Sequence, residues 1–181
     1  MKNLEPTPKH AHLVTAAPAI LSVLAACARL TAPLPGALDP GADQRALLQV
    51  SASGVQVYEC RVGSAPGTSA WMFVAPEAQL FDAGGHGVGQ HGAGPFWMAN
   101  DGSRIVGTLR ARMDAPDAGA IPWLLLRTHS TGGPGAFEHV TNIVRLNTEG
   151  GAAPASGCTP DSTGVQVRVP YRADYRFYTP A

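Results

Sequence analysis

From residue 45 onward apolar side chains recur at every second position, and this period limits the fold more than any other feature. Ile105, Gly107, Leu109, Ala111 and Met113 alternate with Arg104, Val106, Thr108, Arg110 and Arg112. Successive side chains of a β-strand point to opposite faces, so such alternation describes a strand with one face against a core. Val165, Val167 and Val169 alternate with Gln166 and Arg168, and Tyr171, Ala173, Tyr175 and Phe177 with Arg172, Asp174 and Arg176. Further strands are expected at 47–50, 55–62, 71–74, 96–99, 123–128 and 140–147. Asn100-Asp101-Gly102 supplies a hairpin turn, and 21 glycines and 16 prolines favour turns over helices. No ten-residue helical pattern interrupts the series. The expectation is an all-β protein, an antiparallel sandwich or barrel of about nine or ten short strands with one disulfide.

Ahead of this region the chain carries export features. Lys2, Lys9, His10 and His12 precede a mostly apolar run from Leu13 to Leu24. That run falls short of the roughly 20 residues that span a bilayer and ends in small residues, as a signal peptide does. Residues 1–26 are therefore read as a signal peptide. Leu24-Ala25-Ala26-Cys27 resembles the bacterial lipobox, in which the cysteine thiol takes a lipid; Ala28, not aspartate, follows it, which by that resemblance favours the outer membrane. Ordinary cleavage nearby would instead give a secreted product. Residues 27–44, with prolines at 33, 35 and 40, read as the lipidated cysteine and a stiff spacer, and 45–181 as a single β domain.

With Cys27 lipidated, Cys60 and Cys158 remain as an even pair in an oxidising compartment, and a disulfide between them is the simplest reading. Metal ligation by the pair is the alternative, although neither has another ligand at zinc-site spacing. Thirteen basic residues balance thirteen acidic ones. No nucleic-acid partner is expected, and membrane contact only through a lipid anchor. Both lysines lie in the first ten residues, which removes lysine Schiff-base chemistry and a P-loop lysine from the folded region.

The densest glycines and two of the histidines fall in residues 84–97. Gly87-Val88-Gly89-Gln90-His91-Gly92 fits G-x-G-x-x-G, but Ala93-Gly94-Pro95 follows, where a dinucleotide site needs a helix N-terminus. The stretch is read as a glycine-rich loop between strands. His86 and His91 could converge on copper or zinc, with His139 or Asp82 as a third ligand, although no cofactor is predicted. Candidate acid-base groups are Glu59, Glu77, Asp82, Asp101 and Glu138. Trp97 is the best candidate for an exposed stacking face. The candidate ligand-binding residues are thus His91, Trp97, Glu77 and Asp101, and the candidate metal residues His86 and His91.

The run Gly54-Val55-Gln56-Val57-Tyr58-Glu59-Cys60, then Ala75-Pro76-Glu77-Ala78, His91 with Gly94-Pro95 and Trp97, and Asp101-Gly102-Ser103 resembles an uncharacterised family of secreted bacterial and fungal proteins. Ile121-Pro122-Trp123, Asn147-Thr148-Glu149-Gly150-Gly151, Cys158 and Tyr171-Arg172-Ala173-Asp174-Tyr175 continue the likeness, which covers 38–181. The family is a domain of unknown function, some fungal members of which carry a malate dehydrogenase label that the glycine analysis does not support. The resemblance implies the same fold, export and disulfide. The expected role is a non-catalytic binding or envelope-associated module whose partner is a small molecule or an envelope component. The alternative is a small secreted enzyme or metal-binding protein centred on the His86/His91 stretch.

Overall fold

A computed structural model describes residues 33–65 and 67–181, so the expected signal peptide and Cys27 lie outside the described residues. Eight strands follow one another: β1 (Gln44–Val62), β2 (Ser69–Phe81), β3 (Gly87–Gly92), β4 (Phe96–Ala99), β5 (Arg104–Met113), β6 (Trp123–Ser130), β7 (Asn142–Gly150) and β8 (Gln166–Pro180). Each pairs antiparallel with the next, and β8 returns to pair with β1 from Gln44↔Pro180 to Glu59↔Gln166. The sheet is therefore a closed up-and-down barrel, the second of the two expected architectures, in which the short β3 and β4, beyond pairing with each other, pair only with residues 78–81 of β2 and 104–106 of β5.

Eight strands stand where nine segments were recognised, for local reasons. Segments 47–50 and 55–62 are one strand, β1, continuing through Gly54. The two C-terminal segments are likewise one strand, β8, continuing through Pro170. Conversely β3 was read as loop, because Gly87, Gly89 and Gly92 have no side chains with which to display a period. A Cβ at Gly89 would lie 2.3 Å from the Met98 carbonyl oxygen, and one at Gly54 only 2.1 Å from that of Glu77. Both glycines are demanded by close strand approach, and neither by phosphate binding.

The inward face carries Val50 and Ala52 of β1, Ala78 and Leu80 of β2, Trp97 of β4, Ile105 of β5, Ile143 of β7, and Tyr171, Ala173, Tyr175 and Phe177 of β8, all packed in one core. A second cluster lies outside the barrel, where Leu125, Val144, Leu146 and Tyr178 are covered by Leu34 and the fully buried Leu38. Leu38 ends a short 3-10 turn, Gly36–Leu38. The described part of the Pro-rich stretch, read as a spacer, thus packs against the wall of the barrel.

The two ends differ. At one, Phe137 and Val140 from the β6–β7 connection insert into the core, and Phe137 stacks on Phe177 at 4.7 Å between ring centres. Asp101 anchors that closure from the β4–β5 turn. Its Oδ1 accepts from the Ser103 N–H and hydroxyl, and its Oδ2 from the Ala136 N–H, while the Ser103 oxygen accepts from the Phe137 N–H. These bonds hold the Asp101 carboxyl below the usual aspartate range. At the other end the β7–β8 connection crosses the rim, pinned by the Cys60–Cys158 disulfide, by a bond from Trp71 Nε1 to the Ser156 carbonyl, and by one from the Tyr58 hydroxyl to the Gly151 carbonyl.

The disulfide joins residues 98 apart in sequence, so it withholds a large loop entropy from the unfolded chain. Replacing Cys60 and Cys158 together by alanine should lower the unfolding free energy by about 4.7 kcal/mol on the chain-entropy estimate. Urea titration under oxidising conditions measures this; a change below about 1 kcal/mol would show that strand closure alone restrains the chain.

Candidate functional site

Inside the pinned rim lies a cavity of about 940 Å³, open at this end of the barrel. Its size falls within the range of small-molecule sites, and barrel mouths are a common location for them. Two irregularities widen the opening. The β1–β2 register slips between Val57 and Tyr58, leaving Val74 unmatched, and the β5–β6 register slips beyond Leu109, leaving Arg110 unmatched. Bulges bend strands and redirect side chains, and here Phe73, Val74 and Leu109 line the mouth although substantially exposed. These residues make one side of the rim apolar.

At the base of the cavity three rings pack together. His91 of β3 faces Trp97 of β4 across the strand pair and stacks on it at 4.3 Å, nearly parallel. Tyr175 of β8 meets His91 edge-on at 5.2 Å and Trp97 at 5.5 Å. The imidazole lies 2.7 Å through Nδ1 from the Phe96 carbonyl oxygen, which can only accept. Nδ1 therefore carries the proton and Nε2 presents a lone pair. Burial lowers the His91 pKa to about 3, against the weaker opposing effect of the Phe96 bond; the positive charge of Arg145 lowers it further. The ring is neutral near pH 7.

Arg145 is the residue that sequence reasoning missed. It lies on β7 between Val144 and Leu146, whose side chains pack on the outer wall, and it lines the cavity from within. Its Nε and Nη2 both donate to the Pro122 carbonyl oxygen, at 3.0 and 2.8 Å. Gln56, Trp97 and Tyr175, also in the lining, each keep a buried polar atom with no hydrogen bond of ordinary geometry. The Tyr171 hydroxyl lies close to Tyr175 and Gln56 without closing such a bond, and burial raises its pKa far beyond the usual phenol range.

The remaining candidates lie elsewhere. Trp97 has no open stacking face: it is 1% exposed, and its ring is sandwiched in the core where it borders the cavity. Glu77 is on the outer surface of β2 in an ion pair with Arg168, and Asp101 belongs to the closed end. His86 and His91 do not converge. His86 sits in the β2–β3 turn, 81% exposed at the side chain and 3.1 Å from Asp82, at the far end of β3 from His91. Five residues of strand put the two roughly 16 Å apart. His139 is on the closed-end connection, 3.9 Å from Glu138. Among the described residues no three His, Cys, Asp or Glu side chains are grouped as metal ligands. The G-x-G-x-x-G glycines run along β3 into a tight turn at Gly94-Pro95 and on into β4, so no helix N-terminus follows them.

Comparison with known proteins places residues 40–179 in the family described as protein of unknown function (DUF3455). No curated protein and no solved structure matches the chain.

The buried neutral imidazole makes stability depend on pH. The unfolded chain takes up a proton on His91 as pH falls through about 6.5, while the folded chain resists until about 3. Between those values the unfolded state holds more protons, so stability should fall with falling pH, by at most about 1.4 kcal/mol per unit. The carboxylates whose pKa values are lowered, Glu59 from 4.5 and Asp82 and Asp101 from 3.8, change protonation mainly below pH 5. Urea titrations between pH 5 and 6.5 should give a slope for wild type that His91→Gln largely removes. An unchanged slope in His91→Gln would place its origin elsewhere.

Proposed function

Since the chain belongs to that family, whose description carries no activity, we propose from the site alone that this protein is a binding barrel that takes one small molecule into its open end. The observation that carries the reading is the cavity of about 940 Å³ whose mouth, apolar on one side, leads to the His91, Trp97 and Tyr175 rings. Rigid walls and a plugged far end suit a preformed site, because little ordering remains to oppose binding. The role is non-catalytic. His91, kept neutral by burial, is a weak proton acceptor near pH 7 and works better as a hydrogen-bond acceptor for a ligand. The two carboxylates of the lining, Asp114 and Asp117, belong to the β5–β6 connection at the rim, and Asp114 already pairs with Arg112 at 3.4 Å.

The neutral dye N-phenyl-1-naphthylamine tests the reading without presupposing a natural ligand. Its fluorescence should rise on binding and saturate at equimolar dye. Leu124→Trp, which adds bulk to the lining, should weaken binding by about tenfold or more, on the order of 1.4 kcal/mol. Absence of saturable binding, or binding that Leu124→Trp leaves unchanged, would count against the cavity.

We also propose that the chain is exported and anchored through Cys27, with the barrel in the periplasm or on the cell surface. The support is the lipobox-like Leu24-Ala25-Ala26-Cys27 at the end of the apolar run. Cys27→Ser should move the protein from the membrane fraction to the soluble one. Wild-type protein that is already soluble and lacks an acyl mass on its N-terminus would refute the anchor.

A further inference from the structure

The cavity holds a cation that has no counter-ion among the described residues. Among the described residues Arg145 makes no ion pair, and its hydrogen bonds there are the two to the Pro122 carbonyl. Those bonds use Nε and one hydrogen of Nη2, both on one edge of the guanidinium. The Nη1–Nη2 end, the fork that matches two oxygens of a carboxylate or sulfonate, keeps its donors. The inner wall offers nothing to neutralise it. Of the lining carboxylates, Asp114 is 91% exposed at its side chain, and Asp117 accepts from the Gly119 N–H in its own turn. The charge is felt at Tyr58, His91 and Tyr171, which places it among the interior rings.

Arg145 is half-buried, and a charge partly withdrawn from water carries a cost that a ligand of opposite sign would offset. The Pro122 carbonyl supplies only a partial dipole, but by holding one edge it fixes the plane of the guanidinium, and a preoriented fork gives up less freedom when it binds. Resting on the binding-barrel reading, we infer that the ligand is an organic anion, whose carboxylate or similar group pairs with Arg145 while a flat apolar body lies toward His91, Trp97 and Tyr175. The bare Nε2 of His91 would repel a second anionic oxygen at that depth. The charged group therefore belongs at the arginine and the uncharged part of the ligand at the rings.

The test compares 2-naphthoate with 2-naphthamide, which share a body and differ in charge near neutral pH, each titrated against bound N-phenyl-1-naphthylamine. Wild type should prefer the naphthoate by about tenfold or more, the range of a charge-assisted hydrogen bond. Arg145→Gln, which keeps an N–H donor for Pro122, should abolish the preference by weakening naphthoate alone, and Arg145→Lys should retain part of it. If the dye binds wild type but both naphthyl compounds displace it equally, the anion inference fails and the binding barrel stands. Equal weakening of both compounds in Arg145→Gln also overturns the inference, assigning Arg145 a packing role. If the dye itself does not bind, both readings fall. Should Arg145→Gln not fold, the wild-type preference alone decides.

Discussion

The pairing of the first strand with the last is the interaction on which the rest of the molecule depends. β1 and β8 are the two longest strands, and they run side by side over most of their lengths. This junction is formed by residues more than a hundred positions apart, so it completes the sheet only after the whole chain has been laid down. Once it closes, the sheet forms a ring, and the inward side chains enclose a space with two ends. The cavity follows from that geometry together with an asymmetry of the connections. The β6–β7 connection folds inward with Phe137, whereas the β7–β8 connection is held out across the opposite rim by Cys60–Cys158.

The interior is not uniformly apolar, and its gradient runs from the closed end to the open one. Toward the closed end Ile105, Ile143 and Phe177 are sealed from solvent. Toward the open end aromatic rings with polar atoms take over, and then Arg145. Polar groups without partners are expensive inside a fold, so natural interiors carry few of them unless something else completes them. Their concentration around one cavity separates the part that keeps the barrel folded from the part proposed to meet a ligand.

Much of the fold was legible because a barrel wall with a dry inside and a wet outside writes a period of two into its strands. The exceptions are physical. Gly54 and Pro170 look like strand breaks, yet the first permits close approach to β2 and the second lies within the long β1–β8 pairing. β3 is too rich in glycine to show a face. Arg145 was hidden for a different reason. In Ile143-Val144-Arg145-Leu146 alternation divides the residues correctly, but β7 is buried on both sides, under Leu38 outside and in the core inside. A reader who takes Val144 and Leu146 as the buried face puts the arginine in solvent. His91 and Trp97 were legible as neighbours of the site, since both flank the Gly94-Pro95 turn, but not as mutually stacked and buried. The structural partners of Glu77 and Asp101, Arg168 and the Ala136 N–H, were not legible because they are 91 and 35 residues away in sequence.

The plug formed by Phe137 has a kinetic consequence. A pocket with one opening is a blind passage: whatever enters must back out by the same route. A competitor arriving at the mouth finds the passage occupied and cannot push the resident molecule through from behind. Exchange must then proceed through an empty barrel, and the departure rate of the first occupant sets the pace at which a second can take its place, however abundant that second is. Such a barrel would act as a reservoir with a fixed leak.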